Sequence, residues 1–232
     1  MTGKTIRLAV AMIACAGLAA ASTITFGLGG DPNQYYTFTP DGAPAGVTST
    51  EPVGPYPGWL GENTEADSNL LFCITFLKTA NWGGTYSASI IAPFGAQQLQ
   101  AAYLAAELIS LGGRQATLAE QGAISMAIWQ ITDPTPGDVP RDPAAQSYVN
   151  EALHAYSSGR LSAADFPNTA ILVPTDPSIQ EFLIAGPSNP IFSALQTQIS
   201  GVPEPGTPFL LLGGACLMGI SRLIAARKAS GK

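Results

Sequence analysis

The sequence predicts an α+β fold, in one domain of short strands around a central group of about three helices. Three stretches between residues 97 and 159 place apolar residues at helical spacing. Short runs rich in β-branched and aromatic residues precede and follow these stretches. Strands that surround a helical insert favour an α+β arrangement over an alternating parallel architecture.

The strands are predicted from local composition. Residues 31–69 are rich in Gly, Pro, Asp and Thr, which favours loops and edge strands, with extended candidates in QYYTFTP and AGVTST. The runs LLFCITFLK (70–78) and TYSASIIAPF (85–94) flank TANWGG, whose glycine pair can supply the positive φ of a turn, so we expect them to form a hairpin. The segments TAILVP and IQEFLIAG close the domain.

The three helices carry start and stop signals. Gly112 follows the first helix, Thr117 and Glu120 form a capping box for the second, and Pro143 occupies the first turn of a third that begins at Asp142. Each has an apolar stripe that must be buried. The predicted inner faces are Leu99, Ala102, Tyr103 and Ala106 in the first, Ile124, Ala127, Ile128 and Ile131 in the second, and Ala145, Tyr148, Val149, Ala152 and Tyr156 in the third.

The first 21 residues have the pattern of a secretory signal peptide. Lys4 and Arg7 precede an apolar stretch from residue 8 to 21, and Ala19 and Ala21 offer an A-x-A cleavage site. The apolar core is too short to span a bilayer comfortably, since a spanning helix needs about 20 residues. We therefore expect residues 1–21 to be removed and residues 22–201 to form an exported domain.

Charge and composition exclude some partners. All sixteen acidic residues lie between Asp31 and Glu204, whereas only four of the ten basic residues fall in the expected mature span 22–206. So acidic a segment would repel phosphate backbones, which argues against nucleic-acid binding. About 180 mature residues suffice for one domain with a hydrophobic core.

The cysteines and the histidine limit the available chemistry. Cys15 lies in the signal peptide and Cys216 in a C-terminal apolar run, so Cys73 is the only cysteine of the exported domain and an intradomain disulfide is impossible. His154, the only histidine, lies inside a helical pattern and is expected at the helix surface. Most zinc sites and Ser-His-Asp arrangements are thereby excluded.

Two segments of the middle region resemble a known kind of domain. LFCITF, and MAIWQI some fifty residues later, resemble the strand Cys and the Q-x-A-I-W helix of thioester-forming adhesin domains, and the resemblance spans residues 70–184. It implies a side-chain thioester at Cys73. The sequence places Ser125 where the glutamine amide is needed, and Gln121 lies one turn earlier, so these are at most vestigial thioester positions. The alternatives are a buried Cys73 and a core role for Ile128 and Trp129.

Metal binding and catalysis lack a specific pattern. Asp133, Asp138 and Asp142 gather in one loop without the alternating D-x-D-x-D-G geometry of a calcium loop, and Asp also serves turns and helix caps. Paired carboxylates for glycoside hydrolysis cannot be selected among sixteen acids from sequence alone. We therefore expect no catalytic residue, no metal and no cofactor, with a carbohydrate-active hydrolase or a thioester-type covalent adhesin as the alternative functions.

The C-terminal segment is predicted to cross a membrane. Residues 207–226 are apolar apart from Arg222, and a helix of that length reaches roughly 30 Å. Arg222 can snorkel to the interface, and Arg227 and Lys228 favour a cytoplasmic C-terminus.

A membrane anchor alone does not account for the residues that precede this helix. Pro203, Glu204 and Pro205 stand in VPEPGT directly before the apolar run, and a basic tail follows the run. Segment 202–232 resembles the PEP-CTERM sorting signal. The resemblance implies recognition by an exosortase-type membrane protease, insertion in the inner membrane, and then transfer to the cell surface or an extracellular polysaccharide matrix. The expected product is a non-enzymatic surface or matrix protein.

Overall fold

A computed structural model describes residues 23–30, 33–61, 69–135 and 139–186. These residues form eight strands and three α-helices, with three short 3-10 turns. The strands are β1 Thr23–Leu28, β2 Tyr35–Phe38, β3 Ser49–Pro52, β4 Tyr56–Leu60, β5 Asn69–Cys73, β6 Thr85–Ile91, β7 Thr169–Pro174 and β8 Phe182–Ala185. The helices are α1 Ala96–Ser110, α2 Leu118–Thr132 and α3 Gln146–Ser157.

Six of the strands close into an antiparallel barrel. Its order is β1-β4-β5-β8-β7-β6, and β6 pairs with β1 to complete the circle. Closure leaves the barrel without a free edge. Phe26 packs inside the barrel, where its ring centroid lies 5.5 Å from that of Tyr86 and 5.7 Å from that of Phe182. Strands β2 and β3 form a separate two-stranded ribbon.

The three helices lie in one insert between the neighbouring strands β6 and β7. They pack on one another, and α2 also contacts β2 and β5. Every residue from 121 to 129 of α2 is buried, so this helix is surrounded by protein on all sides. Gly122 makes the contact with β2 possible, because a Cβ there would fall 2.1 Å from the ring of Tyr36. The predicted α+β class with a helical insert is confirmed.

The predicted hairpin between residues 70–78 and 85–94 is wrong. Strand β5 pairs with β4 and β8, and β6 pairs with β1 and β7. The turn signal itself is present, since Gly83 has a φ of 73°. The connection instead carries the chain across the barrel, where Thr79 bridges to Ile179. Burial of both strands between long-range partners outweighs the local preference for a hairpin.

The helix positions are confirmed, and their inner faces are confirmed in part. Ala106 and Tyr156 are exposed, so the buried faces of α1 and α3 are rotated from those predicted. Asp142 caps a 3-10 turn over Pro143–Ala145, and α3 follows it. The buried residues are Leu99, Gln100, Ala101, Ala102, Leu104, Ala105 and Leu108 in α1, and Ala152 and Ala155 in α3.

Strand β4 was expected to be loop or edge strand, and it is an internal strand of the barrel. It contains Pro57 and Gly58, residues that are uncommon inside sheets. Gly58 is required by packing, because a Cβ there would lie 2.1 Å from the Leu71 side chain of β5.

Among the residues that the structure describes, no helix is long and apolar enough to cross a membrane. The predicted signal peptide at 1–21 and the predicted transmembrane helix at 207–226 lie outside the described residues.

Candidate functional site

Helix α2 and strand β5 meet at a seam that contains the residues singled out in the sequence. The indole Nε1 of Trp129 donates a hydrogen bond to the Cys73 carbonyl at 2.9 Å. One turn earlier, Ser125 Oγ accepts a hydrogen bond from the Gly54 amide at 3.2 Å. Gly54 in turn lies beside β5, since a Cβ on it would be 3.4 Å from the Leu71 carbonyl. Trp129 and Ser125 of α2 therefore each hold a backbone group at this seam, the Cys73 carbonyl and the Gly54 amide.

The thiol of Cys73 is buried and neutral. The residue is 4% exposed, and its Sγ donates to the Thr75 carbonyl at 3.5 Å. Burial raises the pKa of the thiol to about 12, and the Asp133 and Glu181 carboxylates raise it slightly further, against hydrogen bonds that lower it. Since the thiolate is the nucleophile, a thiol with this pKa is inert at neutral pH. The expectation of a buried, packed Cys73 is confirmed.

Ser125 and Gln121 both have structural roles. Serine carries no acyl carbon, so Ser125 cannot form a thioester with Cys73. Gln121 is 2% exposed, and its Nε2 donates to the Ala116 carbonyl at 2.7 Å and to the Arg114 carbonyl at 3.3 Å. The amide of Gln121 thus fastens the 3-10 turn before α2 to the start of that helix.

A cleft of about 190 Å³ opens next to this seam. We call it the aromatic cleft, because four aromatic side chains line it. Strand β4 supplies Tyr56, the β5–β6 connection supplies Phe76 and Trp82, and α2 supplies Trp129. Polar side chains complete the lining, with Glu51 from β3, Thr79 from the β5–β6 connection and Gln180 from the β7–β8 connection.

The rings of the aromatic cleft are held in two tilted pairs. Tyr56 and Trp82 lie 5.1 Å apart, and Phe76 and Trp129 lie 5.0 Å apart, each pair at 53° between ring planes. The Tyr56 hydroxyl donates to the Pro52 carbonyl at 2.8 Å, and burial raises the pKa of Tyr56 well above its usual value. With the polar atoms of Tyr56 and Trp129 engaged by backbone, these two rings have fixed positions, which is what a preformed binding surface requires.

The aspartates considered for a metal have other partners. Asp133 Oδ2 accepts a hydrogen bond from the Phe76 amide and so fixes the loop that carries that ring. Asp142 is buried and accepts hydrogen bonds from the Tyr36 hydroxyl at 3.1 Å and the Ala144 amide at 3.0 Å. Asp138 lies outside the described residues, and among the described ones no group of three or more metal-ligating side chains occurs.

The remaining predicted residues are placed as follows. His154 is exposed on α3, as expected, and Ile128 and Trp129 are core residues, with 1% and 3% of their surface exposed. The sorting and membrane-flanking residues, Pro203, Glu204, Pro205, Arg222, Arg227 and Lys228, lie outside the described residues.

Sequence reasoning missed most of the aromatic cleft. The sequence pattern predicts a turn at Trp82 and a loop at Tyr56. The available signal was that the chain has only three tryptophans and that two of them, Trp82 and Trp129, stand beside segments already of interest. Their proximity depends on barrel pairings that the sequence does not display.

No protein-family model and no curated protein matches the chain. Among the solved structures similar to it are two domains of surface proteins. One is the N-terminal domain of the Streptococcus pyogenes pilus tip adhesin Cpa, at 13% identity and a TM-score of 0.34, covering 68% of this chain and 95% of that one. The other is the N-terminal thioester domain of a surface protein from Clostridium perfringens, at 12% identity and a TM-score of 0.36, covering 70% of this chain and 97% of that one. The second is a thioester domain, the kind of domain that LFCITF and MAIWQI resemble.

Proposed function

We propose that this chain is an exported, non-enzymatic cell-surface or matrix protein that an exosortase-type protease sorts through Pro203, Glu204 and Pro205. The observation that carries the proposal is the order of three features at the C-terminus, namely VPEPGT, an apolar run and a basic tail. A simple anchor requires the run and the basic tail but not the two prolines around a glutamate. Prolines keep such a segment extended, which is the form in which a protease binds a peptide.

The boundaries of the described domain support removal of both ends. Strand β1 begins at Thr23, two residues after the expected cleavage site, and its first residue already pairs with Ser89 of β6. Strand β8 ends at Ala185, well before the sorting segment. Cleavage at either end therefore leaves all the described strands of the barrel intact.

The chemistry at the seam favours a non-covalent role over the thioester alternative. Covalent attachment through Cys73 would require an acyl group for its thiol, and Ser125, which stands at the glutamine position of the resembled motif, has none and accepts a hydrogen bond from the Gly54 amide. The Cys73 thiol is itself buried and neutral. A hydrolase would need two facing carboxylates in a cleft, and Glu51 is the one carboxylate in the described lining of the aromatic cleft.

The test is a triple change of Pro203, Glu204 and Pro205 to alanine in a host that carries the protease. We expect insertion in the membrane to be unchanged, because the apolar run and its basic flank are intact. Processing should stop, so the full-length form should accumulate in the membrane fraction. The measurement is the ratio of full-length to tail-less protein in membrane and surface fractions.

A matched control changes the residues on either side of the motif, Val202, Gly206 and Thr207, to alanine. This variant keeps the two prolines and the glutamate and should be processed like the wild type. An unchanged ratio in the triple variant of the motif would mean that Pro-Glu-Pro is only a stiff linker and that the sorting proposal is wrong.

A further inference from the structure

We propose that the aromatic cleft binds a sugar ring of a neutral polysaccharide. The inference goes beyond export and sorting, since it assigns a ligand class to the folded domain. It rests on the proposed function only for the expectation that the domain meets polysaccharide outside the cell. The cleft itself can be tested on the isolated full chain, whether or not the tail is processed.

The size and the walls of the cleft select a ring-shaped ligand. Its volume of about 190 Å³ is smaller than that of sites for drug-sized molecules, which begin at about 300 Å³. It therefore accommodates one ring of a longer chain. The C–H faces of a pyranose carry partial positive charge and stack on the negative faces of aromatic rings. Phe76 and Trp82 are the half-buried rings of the lining, and the buried rings of Trp129 and Tyr56 hold them in place.

Polar side chains stand where a stacked sugar presents its hydroxyl groups. Gln180 offers both amide donors and a carbonyl acceptor, Thr79 a hydroxyl, and Glu51 carboxylate acceptors. Glu51 already accepts from Ser49 Oγ at 2.9 Å, which orients the carboxylate and leaves its other oxygen available. Gln180 donates its backbone amide to the Thr79 carbonyl at 3.3 Å, a hydrogen bond that does not use its side-chain amide. Sugar hydroxyls both donate and accept, so they match this mixed set.

The charge of the cleft decides which sugars fit. No lysine or arginine belongs to its described lining, and the nearby Lys78 is paired with Glu181 at 3.1 Å. An anionic polymer such as a polyuronate would face Glu51 and a domain rich in acids without a compensating cation. A quaternary ammonium group would also suit aromatic rings beside a carboxylate, but it cannot hydrogen-bond Gln180 or Thr79. The lining therefore favours a neutral sugar.

Affinity electrophoresis of the full chain tests this assignment. The chain is solubilised in a detergent without a sugar headgroup and run in native gels that contain a soluble glucan, mannan or galactan. We expect at least one of these neutral polymers to retard the protein, and polygalacturonate not to do so. Trp82→Ala should weaken retardation roughly tenfold or more, the loss usual for a central aromatic contact.

Two further variants separate binding from folding. Gln180→Ala removes a half-buried polar side chain and should weaken retardation while the chain keeps its thermal unfolding midpoint. Trp59→Ala makes the same aromatic truncation at a half-buried position outside the described lining of the cleft and should leave retardation unchanged.

Three results would overturn the proposal. The first is no retardation by any of the three neutral polymers. The second is retardation that survives both Trp82→Ala and Gln180→Ala in folded protein. The third is a change in the tryptophan fluorescence of the wild type that tetramethylammonium causes and the sugars do not. This change would have to be absent in Trp82→Ala. That last result would assign the cleft to an alkylated cation.

Discussion

Replacing Trp129 by phenylalanine tests whether the seam between α2 and β5 holds the domain together. Trp129 is 3% exposed, and its ring centroid lies 5.0 Å from that of Phe76. Its indole N–H donates a hydrogen bond to the Cys73 carbonyl at 2.9 Å. Phenylalanine keeps an aromatic ring but removes the donor and part of the ring volume. The carbonyl of Cys73 is then left in a buried position without this partner.

The expected loss is about 2 to 4 kcal/mol in the free energy of unfolding. Leaving a buried acceptor unsatisfied costs about 1 to 3 kcal/mol, and the smaller ring adds a partial cavity cost. Trp129→Ala should lose more, about 3 to 5 kcal/mol. Because domains have only about 5 to 15 kcal/mol of stability, the phenylalanine variant is the one expected to stay folded.

Urea unfolding followed by far-ultraviolet circular dichroism is the suitable assay, since it does not rely on tryptophan emission. The matched control is Trp59→Phe, which makes the same change at a half-buried ring lying against Gly27 on the barrel. We expect the control to lose less than about 1 kcal/mol. Equal stability of Trp129→Phe and the wild type would refute the role given to the indole hydrogen bond.

Three further predictions concern the packing of the domain. The Cys73 thiol should react with a disulfide reagent at pH 8 only after unfolding. Because its pKa is raised to about 12 from an ordinary 9.0, its contribution to stability is present below pH 9 and is lost as the pH rises toward 12. Cys73→Ala should therefore flatten that part of the curve of unfolding free energy against pH. Fast labelling at Cys73 itself in the folded chain would contradict this. Asp142→Ala should cost about 1 to 3 kcal/mol, because the Tyr36 hydroxyl and the Ala144 amide lose their acceptor, and an unchanged thermal midpoint would count against that role. Gly122→Ala should cost about 1 to 3 kcal/mol, since its Cβ would overlap the ring of Tyr36, and a stabilised variant would show that the ribbon moves aside freely.

The helices were predictable because their signals are local. Thr117 and Glu120 form the expected capping box, with the Thr117 amide 2.8 Å from the Glu120 carboxylate and the Glu120 amide 3.2 Å from the Thr117 hydroxyl. Gly112 follows α1 with a φ of 108°, a conformation that favours glycine. These interactions join residues at most three or four positions apart, so the sequence alone displays them.

The strand pairings were not predictable, because each barrel strand chooses its partners by burial over long separations. Cys73 of β5 pairs with Phe182, more than a hundred residues away, while its neighbour along the chain, β6, pairs elsewhere. The same limit applied to the site. Cys73 and Trp129 were each singled out from the sequence, but the hydrogen bond between them depends on how α2 crosses β5.

Trp129 belongs to both the seam and the aromatic cleft, and different parts of its side chain serve the two. Its N–H is committed to the Cys73 carbonyl, so a ligand can meet only the ring itself. Trp129→Phe should therefore lower stability strongly while it keeps an aromatic surface for the ligand. Trp82 is a half-buried residue of the cleft lining, so Trp82→Ala should weaken ligand binding strongly and stability less. If both variants lost stability and binding in the same proportion, the loss of binding would follow from the loss of folding. The cleft would then be a feature of core packing and not a binding site.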